Sequence, residues 1–319
     1  MVLMDLWLSV IILIVGLAIL IKGSDFFVES AAFMARHFGV SELIIGLTLV
    51  SMGTSLPELG ASVYASYNGQ GGIAVGNVVG SNIANIALVL GVCLLFKQIS
   101  VKRKMLKRDG LIMLGVSLLF TLFVFGGVAR WEGLILMALF TIYIVILYKQ
   151  NKDEKETVKL DWSSRPVVKK ESSVAKEIAK LVIGCIGVFV GSKLLVDSAS
   201  DIATQLSISE TVIGSTLIAF GTSLPELAVS MTAILKKHVD ISIGNIIGSN
   251  IFNILWVIGI AALINSLPVD DILVYTNIPI MLLVAAFLLM FMAMGRNLRR
   301  WQGGIFVGIY VLFLMMNYW

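Results

Sequence analysis

Two glutamates stand where a membrane helix tolerates them least. Glu58 and Glu226 close two copies of one motif, Gly53-Thr54-Ser55-Leu56-Pro57-Glu58 and Gly221-Thr222-Ser223-Leu224-Pro225-Glu226, 168 positions apart. Each copy lies near the middle of a long apolar run. A carboxylate at membrane depth is costly and by default marks function. Pro57 and Pro225 cannot donate to the carbonyl four residues earlier, so the Gly53 and Gly221 carbonyls are released and the helix kinks. In lipid such a break survives only where it is buried in protein or lines a polar cavity. The freed carbonyls, the Thr54 and Ser55 hydroxyls and the Glu58 carboxylate then offer several oxygens within about two helical turns. Thr222, Ser223 and Glu226 repeat the offer.

A second set of oxygens follows each motif. Ser81 and Asn85 are four residues apart and share a helix face, as do Ser249 and Asn253. Gly76, Gly80, Gly244 and Gly248 let these helices approach the kinked ones closely. The inventory is all oxygen, with no His and no Cys, which suits Ca²⁺ or Na⁺ and argues against Zn²⁺ or Cu⁺. No Lys or Arg falls at comparable depth, so the two carboxylates must be neutralised by bound cations or by protons. One Ca²⁺ matches the charge, as do Na⁺ ions sharing its ligands, and competition between them would itself drive exchange. Singly, each feature has a plainer reading: hydroxyls back-bond within helices, amides pack, and an isolated glutamate can sit protonated. Duplication of the Glu beside a duplicated Pro is what favours function.

The elements that must hold these residues are membrane helices. Of 319 residues, 58% are apolar and only 14% charged, which a soluble chain of this length would not sustain. Spans of about 20 residues are expected at 3–21, 41–67, 72–96, 109–127 and 131–148, then at 177–196, 209–235, 240–264, 272–294 and 301–318. The first lacks a basic flank and a cleavage site and reads as a retained helix. Between the groups, 149–176 is polar, holds Pro166 and reads as a solvent-exposed linker. With the N-terminus outside, all lysines and arginines except Arg130 and Lys193 fall on the cytoplasmic side, as the positive-inside rule requires. The net charge of +4 therefore reflects sorting across a bilayer and is no sign of nucleic-acid binding. His37 and His238 sit at loop edges and read as solvated. Cys93 and Cys185 lie in apolar segments as small hydrophobes, with no disulfide or metal spacing.

Residues 23–91 align with 191–259 at a constant offset, without a gap and with nearly half the positions identical. Ser41-Glu42 matches Ser209-Glu210, and Gly80-Ser81-Asn82-Ile83 matches Gly248-Ser249-Asn250-Ile251. Five helices is an odd number, so the second copy enters the membrane upside down. The expected fold is an all-α membrane protein of ten transmembrane helices in two inverted five-helix repeats, 1–148 and 177–319. Inverted repeats around a midplane site are a transporter architecture.

Gly-Thr-Ser-Leu-Pro-Glu followed by Gly-Asn-x-x-Gly-Ser-Asn, present twice, resembles the α-repeats of the sodium/calcium exchanger family within the cation/calcium antiporters. Nearly the whole chain takes part, and the likeness is to short prokaryotic members. The resemblance implies Na⁺-driven Ca²⁺ antiport by alternating access in a cell membrane, and the charge sorting places both termini on the extracellular or periplasmic side with 149–176 cytoplasmic. The resemblance also implies a monomeric transport unit in the lipid bilayer whose substrates are Ca²⁺ and Na⁺, with no cofactor and no enzyme chemistry. By the same resemblance Glu58 and Glu226 coordinate both ions. Thr54, Ser55, Thr222, Ser223, Ser81, Asn85, Ser249 and Asn253 join them, the carbonyls of Ser51 and Ala219 complete Na⁺ sites, and the first and sixth helices slide. Several relatives, K⁺-dependent ones among them, carry Asp where this chain has Asn253, which points to the K⁺-independent branch. The rival is a proton-coupled Ca²⁺ exchanger, but its Gly-Asn-x-x-Glu signature is broken here by Gly80 and Gly248. A channel is disfavoured by the inverted repeat and closed oxygen cage. An intramembrane enzyme lacks any zinc spacing or Ser–base pair at depth.

Overall fold

The computed structural model describes residues 6–153, 173–206, 219–295 and 297–318. The linker core and the stretch holding Ser209 and Glu210 lie outside the described residues. The helices are α1 (Leu6–Phe38), α2 (Glu42–Thr54), α3 (Leu56–Tyr67), α4 (Gly71–Phe96), α5 (103–124), α6 (Arg130–Asp153) and α7 (Val174–Gln205). After them come α8 (Ala219–Thr222), α9 (Leu224–Leu235), α10 (Val239–Ile264), α11 (Leu273–Met294) and α12 (Arg300–Tyr318). Taken as broken pairs, α2 with α3 and α8 with α9, these are the ten expected helices. Among the described residues six are long and apolar enough to cross a bilayer, and the α2–α3 pair, bent by 47°, makes a seventh.

Two spans outrun their expected ends. α1 has 33 residues, not the 19 of 3–21, and carries Lys22, Asp25, Glu29 and Arg36 within the helix instead of on a loop. Apolarity ends near residue 21, but backbone hydrogen bonding does not depend on it, so the helix runs on past the lipid zone. It stops at Gly39, in the left-handed region at φ 64°, where Val40 N–H bonds the Ala35 carbonyl, a closure that glycine favours. α7 likewise has 32 residues.

The two repeats can be followed bond by bond. Asn77 Nδ2 donates to Ser62 Oγ at 2.9 Å, and Asn245 Nδ2 to Ser230 Oγ at 3.0 Å. Arg130 donates to the Ile264 carbonyl and Arg300 to the Phe96 carbonyl, both at 3.0 Å. The strand pair Ile99–Ser100 with Asn297–Leu298 has its counterpart in the bridge Val128–Leu267. Close glycine contacts repeat as well: a Cβ on Gly303 would lie 2.6 Å from the Gly91 oxygen, and one on Gly133 would lie 2.9 Å from that of Gly259.

The relation between repeats is an inversion. A Cβ on Gly16 would meet Leu194, one on Gly23 would lie 2.7 Å from Val188 N, and one on Gly184 would lie 2.6 Å from Phe27 N. Position rises on α1 as it falls on α7, so two equivalent helices cross antiparallel. Glycine on both sides lets their backbones touch. α1 and α7 form an outer pair, each with only 22% of its most apolar window buried, whereas α4 and α10 reach 83% and make up the interior.

Candidate cation site

Proline sets the break in both halves. Ser55 has φ −87° and ψ 6°, Ser223 φ −94° and ψ 1°, and each is followed by a helix with proline in its first two positions. The break turns Glu58 and Glu226 inward, and both are buried at 1% and 0% exposure. Glu58 Oε1 accepts from Ser81 Oγ at 3.4 Å, and its Oε2 has no hydrogen-bond partner among the described residues. Among the described residues neither oxygen of Glu226 has a partner in good hydrogen-bond geometry, although the Thr54 hydroxyl lies within its electrostatic reach. Among the described residues neither carboxylate has an ion-pair partner, so two anionic groups face the interior uncompensated, a state that calls for a cation or a proton.

The helices behind them add oxygens of the same kind. Asn85 and Asn253 open local π-helical stretches, Ala84–Leu90 and Asn253–Ile258, a distortion that often accompanies functional positions. Among the described residues neither side-chain heteroatom of Asn85 has a hydrogen-bond partner, nor do Asn253 Oδ1, Ser55 Oγ and Ser223 Oγ, all in buried side chains. A buried polar atom left unpaired costs about 1–3 kcal/mol, so each of these marks a place where a ligand would be favoured. Thr54 Oγ1 lies 3.4 Å from Ser249 Oγ and 3.0 Å from Asn245 Oδ1. Carboxylate, amide and hydroxyl oxygens from α2, α3, α4 and α10, with Ser223 and Glu226 at the α8–α9 break, thus supply a hard, oxygen-only donor set suited to Na⁺ or Ca²⁺.

Other expected members stand differently. The Ser51 carbonyl already accepts from Ser55 N–H at 3.0 Å, with Thr54 Oγ1 3.4 Å away. Ala219 begins α8, and Thr222 closes it. The Gly53 carbonyl, released by Pro57, has Cys185 Sγ of α7 at 4.0 Å, so this thiol touches the break and is more than a filler. His238 keeps about a quarter of its side chain exposed, but it is not simply solvated: its Nδ1 lies 2.8 Å from Oε1 of Glu42, which is only 4% exposed. Asn82, Asn245 and Asn250, which are buried, and the half-buried Asn77 bond to groups around the breaks, where sequence reasoning did not place them. Their signal was the duplicated Gly-Asn-x-x-Gly-Ser-Asn itself.

A cavity of about 490 Å³ is lined by both prolines of the breaks, by Gly221 and Thr222, and by Ser192 and Lys193 of α7. Lys193 and Asp197, which also lines it, are largely exposed, so the cavity lies between the breaks and the surface of α7.

This arrangement has known counterparts. The model of the family described as sodium/calcium exchanger protein matches residues 8–149 and 176–319. The chain belongs to the sodium/calcium exchanger family. It is similar to the sodium/calcium exchanger MaX1 of Methanosarcina acetivorans, 36% identical over 97% of this chain and 98% of that protein. It is 35% identical to the inner membrane protein YrbG of Escherichia coli, over 98% and 97% of the two chains. The solved structure of the sodium-calcium exchanger NCX_Mj soaked with zero Na⁺ and Ca²⁺ superposes with a TM-score of 0.83 at 36% identity, covering 98% of this chain and 99% of that one. Membership in this exchanger family agrees with the ten-helix architecture.

Proposed function

We propose that the chain is a secondary antiporter exchanging Na⁺ for Ca²⁺ across a membrane by alternating access. The observation that carries this reading is the pair Glu58 and Glu226, buried and, among the described residues, without ion-pair partners. Ca²⁺ and Na⁺ share the cage: the two carboxylates with Thr54, Ser55, Ser81, Asn85, Thr222, Ser223, Ser249 and Asn253, and for Na⁺ the carbonyls of Ser51 and Ala219. Because one set of ligands serves both ions, binding of one releases the other.

The names of MaX1 and NCX_Mj as sodium/calcium exchangers support the ion pair. The antiparallel, glycine-rich α1–α7 pair on the outside of the molecule supports movement of these two helices past the buried α4 and α10. We assign the chain to the plasma membrane as a monomeric transport unit, with both termini extracellular and 149–176 cytoplasmic between repeats 1–148 and 177–319. Charge sorting supports that orientation.

Reconstituted vesicles loaded with Na⁺ should take up ⁴⁵Ca²⁺ when the Na⁺ gradient points outward, and uptake should saturate. Uptake that follows a pH gradient and ignores Na⁺ would replace this reading with proton coupling. Flux that does not saturate and needs no counter-ion would replace it with a channel.

A further inference from the structure

We propose that Asn82 and Asn245 are positioning residues that turn the oxygens of Asn253 and Thr54 toward the cation. This rests on the cation cage described above and concerns two side chains outside it. A cation takes lone pairs and repels protons. An amide or hydroxyl therefore works as a ligand only if its N–H or O–H is directed elsewhere, to a fixed acceptor.

The orientation of Asn82 follows from a backbone group. Its Nδ2 lies 3.2 Å from the Asn250 carbonyl, and a carbonyl can only accept. Asn82 Oδ1 must then point the other way, where Asn253 Nδ2 meets it at 3.1 Å. With its nitrogen held, Asn253 presents Oδ1, buried and with no partner. Asn82 thus makes an amide at 253 a neutral oxygen ligand instead of a donor pointed at a cation.

Asn245 does the same for Thr54. Its Nδ2 donates to Ser230 Oγ at 3.0 Å, leaving Oδ1 3.0 Å from Thr54 Oγ1. The counterpart Asn77 fixes the sense: its Nδ2 donates to Ser62 and also to the Glu58 carbonyl at 3.2 Å, which again can only accept. Glu226 also lies within electrostatic reach of the Thr54 hydroxyl, but of the three partners in good hydrogen-bond geometry Asn245 Oδ1 is nearest, the others lying at 3.4 Å. The Thr54 proton goes there and a lone pair is left for the cage.

The test is a pair of double-mutant cycles read by Na⁺-driven ⁴⁵Ca²⁺ uptake, with half-saturating Ca²⁺ and maximal rate measured separately. Asn245→Leu should raise half-saturating Ca²⁺ about tenfold, with the maximal rate changed by less than about threefold. In a Thr54→Val background the same change should add less than about twofold. Asn82→Leu should behave likewise against Asn253→Ala. Asn245→Asp keeps an acceptor for Thr54 and can take the Ser230 proton, so it should retain Ca²⁺ affinity even if the Leu variant does not fold. Full additivity in both cycles, or loss of affinity in Asn245→Asp, would overturn the proposal. If Thr54→Val and Asn253→Ala themselves leave affinity unchanged, the cage reading fails instead.

Discussion

The two repeats agree at their centre and part at their rims. At the centre, equivalent residues hold the same backbone angles, as at Ser55 and Ser223, and the same bonds, as from Asn77 and Asn245. At the rim, Lys236 in the turn after α9 reaches Asp25 and Glu29 of α1, at 3.2 and 2.5 Å. Burial pulls the Lys236 ammonium down, but the two carboxylates outweigh it and hold its pKa above the ordinary lysine value. The equivalent positions are Asn68, Lys193 and Asp197. There Lys193 pairs with Asp197 along its own helix, and Asn68 bonds the Tyr64 carbonyl. One end of the outer pair is thus tied to the rest of the molecule, while the other borders the cavity that reaches the breaks. The two halves match where their breaks lie and differ in the contacts that hold their outer helices.

The largest effect should come from the centre. Glu58→Gln or Glu226→Gln should each reduce exchange by more than about a hundredfold, since each removes half the charge facing the cation. Thermal unfolding and elution volume should stay native. Full activity in either variant would break the equivalence of the halves.

The α1–α7 crossing comes next. Gly23→Val and Gly191→Val place Cβ atoms within 2.7 and 2.5 Å of the facing backbone, and each should destabilise by about 1–3 kcal/mol. Gly60→Ala, with nothing within 4 Å of the new methyl, should stabilise by about 0.5–1 kcal/mol. Thermal melts in detergent would compare them.

A smaller pair carries opposite signs. Gly69 sits at φ 72° and its counterpart Lys237 at φ 68°, the only left-handed residue other than glycine among those described. The shared turn imposes that conformation, which glycine alone adopts without strain. Gly69→Ala should cost about 1 kcal/mol and Lys237→Gly should gain a similar amount. Equal shifts of the same sign would mean that the turns are not equivalent.

Smallest is Lys236→Met. Both partners are partly exposed, so the loss should not exceed about 1 kcal/mol and should shrink with salt.

Much of this was legible in the residues. Proline and a duplicated glutamate located both breaks, because a helix in lipid has few ways to accommodate either. The length of α1 was hidden, since hydropathy reports where lipid ends and not where hydrogen bonding does. The repeat extends further than a constant offset reveals: Arg130-Trp131 and Arg300-Trp301 make equivalent bonds, but two extra residues shift their spacing to 170. These asparagines escaped because a neutral amide carries no charge to draw notice, although their duplication was in plain view. His238 escaped because its partner Glu42 is distant in sequence and buried by the fold.

The central claim is that both ions use one cage built from both halves. Equilibrium ⁴⁵Ca²⁺ binding to the purified protein, titrated with Na⁺, tests it most directly. The account predicts a single class of Ca²⁺ site, displaced fully by Na⁺ and lost in both Glu58→Gln and Glu226→Gln. Ca²⁺ binding that Na⁺ leaves unchanged, or that survives either substitution, would contradict it.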